Sequence, residues 1–335
     1  MTTAALSRAR PLLRRLVFYL VTAWVAVTLN FAIPRLMPGN AVDSVLARLQ
    51  GTGPITPRAI HALEAQFGLH TSQSIIAQYF GYLGNVLHGN FGTSLYYYPS
   101  SVASVIAQSL PWTLVLVGLS TVIAFVIGTG LGVAAGWRRG SWLDSFVPMG
   151  TLLSAMPYFW VGLILISVFA TTWHVLPFYG GATAGVSPSF SLSFLANAAD
   201  HAILPAASIV IAAFGGWLLS MRNMVVSILA EDYILLAEAK GLPSRRVISA
   251  YVSRNAILPN ISGFALSLGF VVGGSVVTEV VFNYPGIGNI LYQAVSSRDY
   301  PLMQAIFLII TFVVLLANLA ADVAYVILDP RTREV

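Results

Sequence analysis

The chain has no cysteine, one lysine (Lys240) in 335 residues, and only 9% charged residues. The missing cysteines exclude disulfides, thiol nucleophiles and cysteine-ligated metals. The scarcity of lysine bears on nucleotide chemistry. A phosphate-binding P-loop needs a lysine directly after glycine, whereas Lys240 follows Ala239. This chain therefore carries no P-loop, and any nucleotide hydrolysis coupled to it belongs to a separate polypeptide. The histidines (His61, His70, His88, His174 and His201) do not fall at metal-ligand spacing. No His-Glu-x-x-His pair, Gly-x-Ser-x-Gly elbow or Gly-x-Gly-Asp occurs, so the usual signatures of a membrane-embedded hydrolase are absent.

What is abundant is apolar. Hydrophobic residues make up 57% of the chain and the mean hydropathy is +0.80, against roughly 25% charged residues in an average soluble domain. The class is all-α, a polytopic membrane protein. Six runs are long enough to cross about 30 Å of hydrocarbon as helices: Pro11–Ile33, Leu110–Gly136, Trp142–Thr172, Ala202–Met221, Ile257–Phe282 and Pro301–Leu328. Arg8, Arg10, Arg14 and Arg15 precede the first run as in a signal sequence. That run is of spanning length and no small-residue cleavage site follows, so it reads as an uncleaved span. With six spans the N-terminus, Arg138-Arg139, the Arg222–Arg254 loop and Arg331/Arg333 share one side; Arg35, Arg48, Arg58 and Arg298 take the other. The positive-inside rule then places both termini in the cytoplasm and the histidines outside or at the outer interface. Because the basic residues sort by membrane side, the net charge of +5 is not a nucleic-acid footprint; the expected surroundings are membrane lipid, with no nucleic acid.

This gives a division into a cytoplasmic N-terminus with the first span (1–33), an extracytoplasmic segment (34–109), a core of five spans (110–328) containing a cytoplasmic loop (222–256), and a cytoplasmic tail (329–335). In the outer segment Thr56-Pro57 offers a helix start, with Ile60, Leu63 and Phe67 on one face before Gly68. The Tyr96-Tyr97-Tyr98-Pro99 cluster suits membrane anchoring, with ligand stacking as the alternative.

The polar stretch Asp232–Pro259, DYILLAEAKGLPSRRVISAYVSRNAILP, interrupts the apolar chain. Glu231 and Asp232 stand where a helix would begin, Lys240 and Gly241 where it would end. Leu242-Pro243 stops it and Ser244 can cap a second helix through Arg245, Arg246 and Tyr251. Glu238, an acid in the last turn, opposes its own helix dipole by about 0.3–1 kcal/mol, which points to an external basic partner. A plain solvated loop is the alternative.

Ala237-Glu238-Ala239-Lys240-Gly241 followed by Ile257-Leu258-Pro259 resembles the "EAA" loop of ABC-importer permeases, with the longer gap of the dipeptide/oligopeptide permease family. Further resemblances are Leu13-Arg14-Arg15-Leu16 with Pro38-Gly39, Gln78-Tyr79 with Leu87–Ser94, Arg139–Asp144, Pro285-Gly286-Ile287-Gly288, Arg298-Asp299-Tyr300-Pro301, and Asp322 with Leu328-Asp329-Pro330-Arg331. The chain resembles that family over nearly its whole length. The resemblance implies the type I ABC importer permease fold in a bacterial or archaeal plasma membrane. It also implies a second permease subunit, two cytoplasmic ATPase subunits holding ATP and Mg, and an extracytoplasmic solute-binding protein, with no cofactor in this chain. It assigns coupling to the ATPase to Asp232, Tyr233, Ala237, Glu238, Ala239, Lys240, Gly241 and Leu242. Ile234–Glu238 departs from a common Val-Arg-Thr-Ala-Arg type sequence. With Gly215-Gly216-Trp217 and a long His174–Asp200 loop, it resembles a branch associated with oligosaccharide uptake, which leaves the cargo open between peptide and oligosaccharide (cello/xylo-oligosaccharide type).

Ionisable groups in spans are functional candidates. Glu279 could line a translocation pathway or hold a neighbouring helix; Asp322 reads as structural. Trp217 is a candidate for the pathway. Gly128, Gly130, Gly132 and Gly136, and Gly269, Gly273 and Gly274, permit close helix approach. The expected function is the permease subunit of an ATP-driven importer. A secondary transporter is the alternative, but it needs midplane charges and repeated broken helices; few central charges and no inverted repeat are visible.

Overall fold

A computed structural model of the chain describes residues 3–36, 74–273 and 276–328. Among these it contains helices and one isolated bridge, Thr93 to Ser101, but no strand. The helices are α1 (Thr3–Leu36), α2 (Ile75–Leu87), α3 (Val102–Trp137), α4 (Trp142–Ser145), α5 (Val147–Ser154), α6 (Tyr158–Leu165), α7 (Leu192–Ile228), α8 (Asp232–Ala239), α9 (Ser244–Arg246), α10 (Ser253–Phe270), α11 (Val276–Val281), α12 (Ile287–Ser297) and α13 (Tyr300–Leu328). The expected outer helix at Thr56–Phe67, Gly274 and the 329–335 tail lie outside the described residues.

Three helices are each long and apolar enough to cross a membrane: Val102–Trp137, Leu192–Ile228 and Tyr300–Leu319. The first two contain the second and fourth expected spans, and the third covers the sixth as far as Leu319. The first expected span lies in α1, whose shorter apolar stretch is Val17–Ile33. The third and fifth are not the single helices expected. The stretch Trp142–Thr172 bends by 99° between Ser154 and Tyr158. Pro157 sits at the break as the N-cap of α6, where its lack of an N–H costs nothing. The fifth begins earlier than Ile257: a continuous helical run from Ser244 passes through a π-helical segment, Val247–Val252, into α10, then a 3₁₀ turn at Val271–Gly273 separates it from α11.

The chain divides into two compact units, Met1–Leu110 with Ile290–Leu316, and Pro111–Asn289 with Ala317–Val335. In the first, Asn30 is buried and donates to Tyr82 Oη (3.1 Å) and the Gln304 carbonyl (2.7 Å). Asp299, fully buried, accepts from Ser94 Oγ, from the Tyr96 N–H (2.9 Å) and from the Leu302 N–H (3.1 Å). One carboxyl thus caps α13 and pins the Ser94–Tyr97 turn. Tyr97 donates to Gln293 Oε1 at 2.6 Å. This tyrosine is therefore tied into the protein, while Tyr98 remains 52% exposed.

The second unit rests on a glycine ladder. Gly128, Gly132 and Gly136 recur every four residues on α3, one helical face, and α7 lies against that face. A Cβ on Gly132 would stand 2.7 Å from both the Leu218 carbonyl oxygen and Met221 Cβ, and one on Gly136 would stand 2.8 Å from Val225. Gly130, on another face, would meet nothing within 4 Å. Three of the four glycines thus serve close helix approach, and the fourth does not. At the end of this contact Arg222 pairs with Asp144 (3.0 Å), tying α7 to α4, and Arg139 donates to the Val226 carbonyl.

Candidate functional site

The polar loop forms a short helix with a defined start and stop. Glu231 occupies the N-cap position of α8, with Asp232 in the first turn. At the other end the Leu242 N–H bonds the Ala237 carbonyl (3.3 Å) and the Gly241 N–H bonds the Glu238 carbonyl (2.8 Å). With Gly241 at φ +72° this is a Schellman stop, the left-handed residue favouring glycine. Pro243, not Ser244, holds the N-cap position of the next helix, and no side chain caps it.

Two residues root α8 in the protein. Ile234 (1% exposed) and Ala237 (4%) join a cluster of Met221, Val225, Val247, Val252 and Ala256, with Leu242 and Tyr251 packed against it. Their i, i+3 spacing puts both on one face. The rest of α8 is outward: Asp232, Tyr233, Glu238 and Ala239 are exposed, as are Lys240 and Gly241 beyond it. Leu235 and Leu236 are 58% and 56% exposed. Tyr233 accepts a bond from Asn255 Nδ2 (3.2 Å). Among the described residues the Glu238 side chain has no partner. The helix thus presents two leucines and two acids to its surroundings while hanging from two apolar side chains. The sequence reading missed Leu235 and Leu236, whose signal was an apolar pair inside a polar loop.

Trp217 lies on a cavity of about 700 Å³. Its wall includes Ser154 and Tyr158, which flank the 99° bend, together with Thr121, Ser220 and Ser267. The broken helix thus delivers polar atoms to a cavity otherwise lined by Val117, Ile209 and Val271. The indole meets Phe125 edge-on at 5.3 Å and Phe264 at 6.5 Å. Beneath it, buried Asn260 accepts from Ser220 Oγ (2.6 Å) and reaches the Trp217 carbonyl (3.4 Å), joining α10 to α7. Asn260 was not singled out from sequence; its signal was an amide directly after Pro259 in an apolar run.

Glu279 is fully buried. Thr113 Oγ1 donates to Oε1 (2.9 Å), and the Gly288 and Asn289 N–H groups donate to Oε2 (2.7 and 3.2 Å). Thr113 Oγ1 in turn accepts from the Ile287 N–H (2.7 Å). Glu279 and Thr113 together satisfy the first three amides of α12, which α-helices leave unpaired. Gly286 and Gly288 are explained by the same site: a Cβ at Gly286 would overlap the Glu279 carboxyl, and one at Gly288 would stand 2.6 Å from Val276 Cα. Of the two readings of Glu279, the geometry is that of a helix-capping carboxyl enclosed by its partners.

Among the described residues no cluster of His, Cys, Asp or Glu could hold a metal ion. Apolar helices of spanning length, an exposed helix rooted on α7 and a partly polar cavity in the same unit define a membrane protein. Residues 128–334 match the family of binding-protein-dependent transport system inner membrane components. The chain belongs to that family and is the transmembrane permease subunit of an ABC importer. It is 33% identical over 320 residues to the oligopeptide transport system permease protein AppB of Bacillus subtilis, covering 93% of this chain and 99% of that protein. It is 34% identical over 335 residues to the di/tripeptide transport system permease protein DppB of Pseudomonas aeruginosa (96% and 97%). To the glutathione transport system permease protein GsiC of Salmonella typhimurium it is 31% identical over 322 residues (96% and 98%).

Proposed function

We propose that this chain forms one half of the translocation pathway of a peptide importer and receives its motive force through α8. The names of AppB and DppB favour peptide over oligosaccharide cargo. The partners are a second, similar permease, two cytoplasmic ATPases that hold ATP and Mg, and a solute-binding protein outside. Both termini are cytoplasmic. ATP hydrolysis takes place on the ATPases, since the chain has no P-loop lysine.

The observation that carries the proposal is α8 itself. A helix held mainly by Ile234 and Ala237, with Leu235, Leu236 and Glu238 facing outward, fits a groove on a partner and transmits that partner's movement to the Met221–Val225 face of α7. The coupling role of Asp232, Tyr233, Ala237–Lys240, Gly241 and Leu242 divides accordingly: Ala237 and Leu242 anchor, Gly241 stops the helix, and the others meet the ATPase.

Glu238→Lys tests this cleanly. Lysine near a helix C-terminus is favoured by the dipole by about 0.3–1 kcal/mol, so α8 survives while its outward charge reverses. Gly241→Asp meets no neighbour within 4 Å, but it puts a side chain on a left-handed residue. Both variants are expected to insert in the membrane and to lose ATP-dependent uptake of labelled peptide in vesicles, with loss of ATPase co-purification. Normal uptake by both would remove α8 from the coupling role. A deletion strain that recovers growth on peptides but not on cello- or xylo-oligosaccharides would support the cargo; the reverse would overturn it.

A further inference from the structure

Gly130 is the one glycine of the α3 series that packs against nothing. It lies on a separate groove of about 380 Å³ between the end of α3, α4 and the start of the Ser244 helical run. Gly130, Val133, Ala134, Trp137, Leu143 and Ile248 line it together with Arg138 and Arg245. Both arginines are exposed. Among the described residues neither guanidinium has a hydrogen bond or ion pair, in contrast to Arg222 and Arg139 close by. From Gly130 to Arg138 the helix rises roughly 12 Å. The groove thus has two unpaired cations at one end and an apolar trough, deepened by a missing side chain, running from them toward the middle of the span.

We propose that this groove binds an anionic phospholipid, its phosphate between Arg138 and Arg245 and an acyl chain laid along the Gly130–Ala134 stretch. Guanidinium is suited to phosphate as a planar donor, and a tryptophan at the same level is the usual marker of the headgroup region. The apolar trough separates this occupant from a soluble phosphate compound, which would use the arginines but not Gly130. The lipid would tether the helix that follows α8, so occupancy would bear on how far α8 can travel.

Native mass spectrometry of the assembled transporter, exchanged into detergent with added phosphatidylglycerol or phosphatidylethanolamine, tests the site. The wild type is expected to retain phosphatidylglycerol in preference. Arg138→Ala and Arg245→Ala should each lower retention about fivefold, and the double variant about 30-fold, at roughly the attraction of one basic residue to an anionic lipid surface. Gly130→Leu fills the trough in open space and should lower retention of phosphatidylglycerol severalfold with both arginines intact. Three results would overturn the proposal: unchanged retention in the double variant, no effect of Gly130→Leu, or displacement of the lipid by glycerol phosphate at equal concentration. Photocrosslinking from position 143 to an ATPase subunit in place of lipid would also overturn it.

Discussion

Replacing Glu279 separates a capping carboxyl from a transport carboxyl. Glu279→Ala removes the common acceptor of two buried amides, Gly288 and Asn289, while Thr113 keeps its bond from Ile287 and can turn its hydroxyl elsewhere. A buried donor left without a partner costs about 1–3 kcal/mol, so the alanine variant loses about 2–6 kcal/mol before any cavity cost. Glu279→Gln behaves differently. Its carbonyl oxygen can take the place of Oε2 and receive both amides, while its NH₂ faces Thr113 Oγ1, which has a lone pair left over. It keeps both amide bonds and exchanges one acceptor oxygen for a donor, at a cost of about 1 kcal/mol. The assay is the melting midpoint of the fluorescently tagged transporter, read by size exclusion after heating, with peptide uptake measured alongside. At about 2–4 °C per kcal/mol for a chain of a few hundred residues, alanine should lower the midpoint by about 4–24 °C and glutamine by less than 5 °C with uptake retained. Equal midpoints for the two variants, or an unshifted alanine variant, would refute the capping argument. A glutamine variant of normal stability that cannot transport would return Glu279 to the pathway.

Three further outcomes are expected. Gly132→Leu should cost about 1–3 kcal/mol of overpacking or more, because its Cβ meets the Leu218 carbonyl; Gly130→Ala should be neutral or stabilising, and thermal midpoints of the two check it. Asp144 accepts from Arg222 Nε (3.0 Å) and from the Gly140 N–H (2.9 Å). Asp144→Asn should cost about 1 kcal/mol or less for a partly exposed pair, checked in thermal scans. Because the chain has no cysteine, single cysteines report cleanly. Ser154→Cys and Ser267→Cys on the Trp217 cavity should react with maleimide and be protected by peptide during transport, whereas Ser120→Cys, 1% exposed, should not react.

Much of this was legible in the sequence because it is local. Gly241 announced the end of α8 by following a helical stretch and preceding Leu-Pro, and the i, i+4 glycines of α3 announced a close neighbour. The breaks were not legible in the same way. An apolar run scores as a span whether or not it bends, so Trp142–Thr172 read as one helix although Pro157 carried the warning. The same averaging merged α10 and α11 across Val271–Gly273. Glu279 was undecidable for another reason: its partner Thr113 is 166 residues away, and neither residue has meaning without the other. Gly286 and Gly288 read as a motif, and only the position of the Glu279 carboxyl shows why a side chain is excluded there.

α7 has one more consequence. From Pro205 to Ile228 it is unbroken, roughly 36 Å of helix, with Trp217 about one turn from Met221 and Met221 in the cluster that roots α8. A stiff rod has no slack between those two points. A tilt of about 10° about its Pro205 end would move Trp217 by roughly 3 Å, about the width of a water molecule. Under the coupling role proposed for α8, a displacement there would change the cavity beside Trp217.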